Sequence, residues 1–385
     1  MRIDQLAFKM FALLLFFVSS STSATTSFEH IQGLISEPNE YGLVQLPAGH
    51  FLIDRNLVSE FDNIKIKGEG VDKTILDFKG QVTGTEGIDL RGRNVSLSDL
   101  TILNTLGDGI RATAAEEVSI RNVKVGWETA PDNLKGTYGI YPISSKGVVI
   151  EDTETFGASE AGIYVGQSTD AKIIDNWSYQ NTVGIEVENS VDTTISGNRT
   201  EKNSIGVMVT DIPGLPVYGR GVKIYNNEIA DNNKANELEN PSHLSHKQSG
   251  VGVLVVAGKD VTISNNRFRE HNVSNIVALN YLSTGFNRSR MLYDPNVRGV
   301  VIGKNSHKPK PETEQKVTSL YGWKVQGAQF DVLWDGRITK HELYIELPKR
   351  EYFCFRGLTT LSRMLPSDES SDETNLFKSE IYECD

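Results

Sequence analysis

Residues 161–198 read AGIYVGQSTDAKIIDNWSYQNTVGIEVENSVDTTISGN, and the second half restates the first after 22 residues. GIYV at 162 becomes GIEV at 184, and AKIIDN becomes TTISGN. Working outward, the unit recurs as GIDL at 87, GIRA at 109, GIYP at 139, GVMV at 206 and GVLV at 252. Four of the six steps are 22 or 23 residues and the other two are 30 and 46. A period in this range marks stacked units, none of which can bury its own apolar face.

Each copy holds two short β-branched stretches and polar turns, with no room for a ten-residue helix. The expected fold is therefore all-β: a right-handed parallel β-helix, a solenoid of about 22-residue coils. In a strand, residues two apart share a face. Ile163 and Val165 are thus expected inside and Tyr164 outside, with Ile140, Ile185 and Val207 repeating the inner place. Two polar registers follow. Asp99, Asn122, Asp152, Asn176, Asn198, Asn227 and Asn266 mark one turn, and Asn104, Asn181, Asn203, Asn232 and His271 another. Amides stacked at strand spacing can bond along the axis, so these are expected to be ladder residues.

Residues 1–24 have the form of a secretory signal: Arg2 and Lys9, the apolar run MFALLLFFV, then SSSTSA. Nine apolar residues are too few to span a bilayer. The expectation is an exported protein, periplasmic or secreted, monomeric and without a membrane span. A net charge of −11 argues against nucleic acid as a partner. FEHIQGLISE (28–37) reads as a helix capping the open first coil, the repeat domain as 25–305, and 306–385 as a non-repeat tail. The tail holds QFDVLWDGRI and HELYIELP as expected strands, an acidic end, and both cysteines, Cys354 and Cys384. Export makes their disulfide the natural pairing. Docking of the acidic end on the basic stretch from Arg288 to Lys310 is a further expectation.

LPAGHFLI, IKGEGVDKTILD and the coil segments resemble bacterial exported right-handed β-helix proteins, a superfamily of pectate lyases, polygalacturonases and mannuronan C5-epimerases. YGIYPISSKGVVIEDTETFGASEAGIYVGQS, with FDVLWDG and two cysteines in the tail, is similar to the parallel β-helix repeat-containing proteins. The resemblance covers nearly the whole mature chain and implies the fold together with a carbohydrate polymer as partner. Alginate epimerases carry a Tyr-Asp-Pro-His-Glu motif. The nearest string here, Tyr293-Asp294-Pro295-Asn296, lacks the His, and that site is not carried over.

Insertions in solenoids gather on one face, commonly the binding face. Those at 127–138, 211–221 and 233–249 each abut a GIxV strand and are expected to wall a groove floored by its outward residues. These are Asp89, Arg111, Tyr141, Tyr164, Glu186 and Met208, with Arg91, Thr113, Ile143, Gly166, Glu188 and Thr210 beyond them. The floor offers aromatic faces, an Arg for a carboxylate and acids. Stacked tyrosines equally suit a ladder that protects the sheet.

On the enzyme reading the protein is a lyase or C5-epimerase acting on a uronate-containing polysaccharide. Arg111 neutralises the carboxylate, Tyr141 or Tyr164 serves as base or acid, and Glu186 lies beside them. Asp89, Glu188, His246 and Lys247 contact substrate, and His243, in the same largest insertion as His246 and Lys247, is with them a candidate base or ligand. A hydrolase would use Glu186 and Glu188 as a carboxylate pair. The alternative class is a non-catalytic polysaccharide-binding or envelope protein. A metal-delivery role finds no His/Cys cluster. The sequence requires no cofactor, although Glu186, Glu188 and Asp211 suggest a calcium site.

Overall fold

The computed structural model describes residues 27–128, 135–236, 243–286, 293–310, 317–326, 331–339, 349–356, 362–364, 375–376 and 384. The signal segment, Arg288 and Arg290, the strand expected at 341–348 and the acidic groups of 368–385 lie outside these residues.

Each regular coil has three strands rather than two. In the quoted stretch they are Ala161–Gly166, Thr169–Ile174 and Trp177–Tyr179. The second β-branched stretch divides because Asp175 turns the chain at φ 54°, a left-handed corner that Asp tolerates. Strands of successive coils pair parallel and in register, as in Ile163↔Ile185, Ile173↔Ile195 and Ser178↔Thr200. First strands build a 12-stranded sheet, and second and third strands a 19-stranded one. Together they wind the right-handed parallel β-helix that the repeat predicts.

Ile140, Ile163, Ile185, Val207, Val253 and Ile276 lie in register and all are fully buried. Corner asparagines chain along the axis. Asn176, Asn198, Asn227 and Asn266 each donate Nδ2 to the Oδ1 of the next asparagine, ending at Asn305, over 2.9–3.1 Å. Their backbone N–H groups use the same acceptors at 2.9–3.0 Å. The second ladder runs from Asn181 through Asn203 to Asn232, which meets buried His271 at 3.2 Å. The buried ladder amides thus satisfy backbone that water cannot reach.

A helix over Ser27–Ser36 covers the first coil with Ile31 and Ile35. Its Gln32 amide accepts from Val58 N at 2.9 Å and donates to Val58 O at 3.0 Å, taking the place of a neighbouring strand at the open edge. At the other end the sheets continue beyond 305. Val332–Trp334 extends the first sheet and Phe353–Phe355 the larger one. Stacked Trp334 and Phe353 fill this last coil, and a disulfide joins Cys354 to Cys384.

Candidate functional site

The described parts of the insertions rim the first sheet. Residues 127–137 and 231–250 join a third strand to the next first strand, and residues 211–219 join a first strand to the second. Between them the outward row runs in register through Asp89, Arg111 and Tyr141. It continues through Tyr164, Glu186, Met208, Leu254, Val277 and Leu333. From Met208 on it is wholly apolar, and Leu244, Tyr281, Tyr293 and Leu320 pack over it as a second core. An open floor along the whole face is therefore corrected: the later coils are roofed. The signal was present in GVMV, GVLV and SNIVAL, which are apolar at every place and so need cover on both faces.

A second outward row lies just before each glycine. Ala161, Val183, Ile205 and Val251, paired in register, belong to the same outer core. Asp108 and Tyr138 hold that place in the earlier coils. At the open end Arg111 pairs with Glu86 at 2.8 Å, bonds Thr113 through Nε at 3.1 Å, and lies 5.6 Å from the Tyr141 ring centre. Those two bonds use two of five guanidinium donors. Asp108 is half-buried nearby, and desolvation pushes its carboxyl up to about 7 against the opposing charge of Arg111. Glu86 and Asp108 had escaped the alternation rule because the chain bends at the glycine.

Tyr138, Tyr141 and Tyr164 form one aromatic group, with ring centres 4.7–4.9 Å apart. A Cβ at Gly166 would overlap the Tyr164 ring, so the glycine lets that ring lie flat on the sheet. Tyr164 is 4% exposed and donates to Glu188 at 2.8 Å. Burial lifts the Tyr141 hydroxyl to about 12 and takes Tyr164 well above its usual range. Phenols this basic are poor general bases at neutral pH but remain proton donors.

Glu186 is fully buried beneath the rim, and among the described residues neither carboxyl oxygen has a hydrogen-bond partner. His243 reaches over from the largest insertion. Its Nε2 lies 3.6 Å from Glu186 and 3.7 Å from Glu160, and Glu160 accepts from the Tyr138 hydroxyl at 2.5 Å. Ser245 N donates to His243 Nδ1 at 3.3 Å, which places the imidazole proton on Nε2, facing the carboxyls. Burial lowers the His243 pKa and, together with the charges of Glu188 and Glu160, raises that of Glu186 well above 4.5. A raised carboxyl pKa contributes stability below the unfolded value that is lost as pH rises through the folded one. Glu186→Gln should therefore gain melting temperature over the native chain progressively from pH 4.5 to 8 by calorimetry. A constant difference across that range would contradict it.

The structure does not bring His246 and Lys247 into this cluster. They line a separate cavity of about 420 Å³ with Thr284, Phe286 and Tyr321, and His243 is the insertion's histidine at the site. Asp89 is 6% exposed and paired with Arg91 at 2.7 Å. Asp211, one of the suggested calcium ligands, instead accepts from Asn189 at 3.0 Å and Gly219 N at 2.8 Å, with Lys259 3.7 Å away. Among the described residues no three His, Cys or acidic side chains converge as a metal site. Tyr293 bonds the Asp211 carbonyl and Asp294 pairs with Arg298, so the Tyr-Asp-Pro-Asn string supports the roof.

The family model described as right handed beta helix region matches residues 62–229 and 108–306. The A-module of mannuronan C-5 epimerase AlgE4 from Azotobacter vinelandii superposes with a TM-score of 0.59 at 16% identity, covering 81% of this chain and 88% of that one. The AlgE6 A-module from the same organism gives 0.52 at 16% identity, with coverage of 80% and 86%. The enzymatically active domain of bacteriophage CBA120 tailspike protein 2 gives 0.53 at 10% identity, with 80% of this chain against 43% of that one. No curated protein matches the chain in sequence. At these identities the likeness is one of fold.

Proposed function

The chain belongs to the right-handed β-helix family, and we propose that it is exported and acts as a lyase or C5-epimerase on a uronate-containing polysaccharide lying across the open first sheet. The observation that carries this reading is one coil, 108–113, in which a half-buried acid and an arginine stand beside the half-exposed Tyr141. Both reactions remove the proton α to a carboxylate. Arg111 holds that carboxylate and stabilises the charge that gathers on it, while ionised Asp108 takes the proton from carbon. In elimination the electron pair forms the double bond, the glycosidic C–O bond breaks, and the Tyr141 hydroxyl protonates the leaving oxygen. In epimerisation the Tyr141 hydroxyl gives a proton to the same carbon from the opposite face, and exchange with solvent returns Asp108 and Tyr141 to their starting states. Tyr141 is the exposed stacking surface, because the cover over Tyr164 denies it a sugar.

The fold shared with two mannuronan epimerase modules supports the substrate class. A hydrolase is less well served, since Glu186 is fully buried and cannot flank a glycosidic bond. Non-catalytic binding is the second reading, favoured by the Glu86 carboxylate that already occupies part of Arg111. Purified protein incubated with alginate and pectate, followed by unsaturated-uronate absorbance and by NMR of the C5 configuration, tests the proposal. Arg111→Ala should weaken glycan affinity or turnover by roughly 10- to 150-fold, the worth of a charge-assisted contact. Affinity without product supports the binder, and an unchanged Arg111→Ala variant moves the site elsewhere.

A further inference from the structure

A second concavity opens at the corner between third and first strands. Trp127 and Lys135 of one insertion and Asn233 and Lys234 of another bound a cavity of about 540 Å³, with Gln180 and Lys202 on the short corners between them. From Trp127 to Asp231 is four coil steps, roughly 19 Å at strand spacing. The volume falls within the range of small-molecule sites.

Its charge is unlike that of the chain around it. Three ammonium groups line the cavity against the carboxylates of Glu128 and Asp231, in a protein of net charge −11. Lys202 stands between the two insertions, and among the described residues no carboxylate forms an ion pair with it. The nearby acid Asp231 is held by Asn233 Nδ2 at 2.7 Å. The backbone at Lys202 is left-handed, φ 56°, a conformation costly for lysine. Gln180 adds an amide group suited to hydroxyls, and Trp127 closes the inner wall with its indole N–H already donated to Thr105 O at 2.7 Å.

We propose that this notch is a second binding site, distinct from the Arg111 floor, for a carboxylate-bearing sugar unit held by Lys202. The sugar class rests on the function proposed above, whereas the cavity and its cations do not. Both insertions that bound the notch also rim the first sheet, so an acidic polymer on the floor passes beside it.

The test is calorimetric titration of a defined oligouronate into the native chain, Lys202→Asn, Lys202→Arg and Arg111→Ala, with a neutral oligosaccharide and inorganic phosphate as separate probes. Asn accepts the left-handed corner, and circular dichroism checks folding. Lys202→Asn should lose about tenfold in oligouronate affinity, Lys202→Arg should retain it, and the difference should shrink at high salt. Binding that depends on Lys202 should persist in Arg111→Ala. Native affinity in Lys202→Asn overturns the notch and leaves the floor standing. Loss in Lys202→Asn with none in Arg111→Ala supports the notch and overturns the floor. Phosphate bound as tightly as the oligouronate, with the same dependence on Lys202, overturns the sugar assignment.

Discussion

Ile163→Asp is expected to yield no soluble, folded protein. Ile163 is fully buried in the apolar core and sits between Ile140 and Ile185 of the adjacent coils. An unpaired carboxylate in such a place costs several kcal/mol, a large share of the roughly 5–15 kcal/mol by which a domain is stable. In a solenoid the loss also removes the template on which both neighbouring coils stack. Ile143→Asp, at a half-buried outward place one coil earlier, is the control and should fold. Soluble expression and far-UV circular dichroism of the two variants decide the matter. A folded Ile163→Asp would mean that the inner register is wrong.

Asp108→Asn should reduce turnover by at least about two orders of magnitude, the usual contribution of a general base, while oligouronate affinity stays within a few-fold. The base works only when ionised. Because burial raises its pKa from 3.8 to about 7, the native rate should climb with pH through about 7 and level off above it. The Asn variant should lack that rise. Stability runs the other way, since a raised carboxyl pKa makes the folded state lose stability as pH climbs through about 7. A rate profile flat from mildly acidic to mildly alkaline pH, or an Asp108→Asn enzyme with native turnover, would remove Asp108 from the chemistry. The loss expected for Arg111→Ala is smaller because Glu86 already satisfies part of that guanidinium.

Periodicity alone specified the coil. A two-residue alternation repeated every 22 residues has only one arrangement that puts Ile140, Ile163 and Ile185 inside together, and the asparagines recur at one place per turn because each corner poses the same backbone demand. The outward row from Asp89 to Glu186 follows from the same geometry, so the aromatic and charged residues of the floor were legible before any coordinates. What becomes of that row was decided only by tertiary structure. Tyr141 and Glu186 look alike in sequence, as outward residues of equivalent strands, yet Tyr141 stays half-exposed while an insertion carrying His243 lands on Glu186 and strips it of water. Where a long loop comes to rest depends on contacts with residues distant in sequence, which carry no periodic signal. The last coil is a mixed case: its strand at 332–334 lies within QFDVLWDGRI, where the sequence led one to be expected, whereas the strand at 353–355, three residues long, is too short to show alternation. Asp108 illustrates the remaining gap. Alternation counts strand residues, whereas this acid stands at the bend before Gly109, and the backbone turn, rather than the pattern of side chains, brings it beside Arg111.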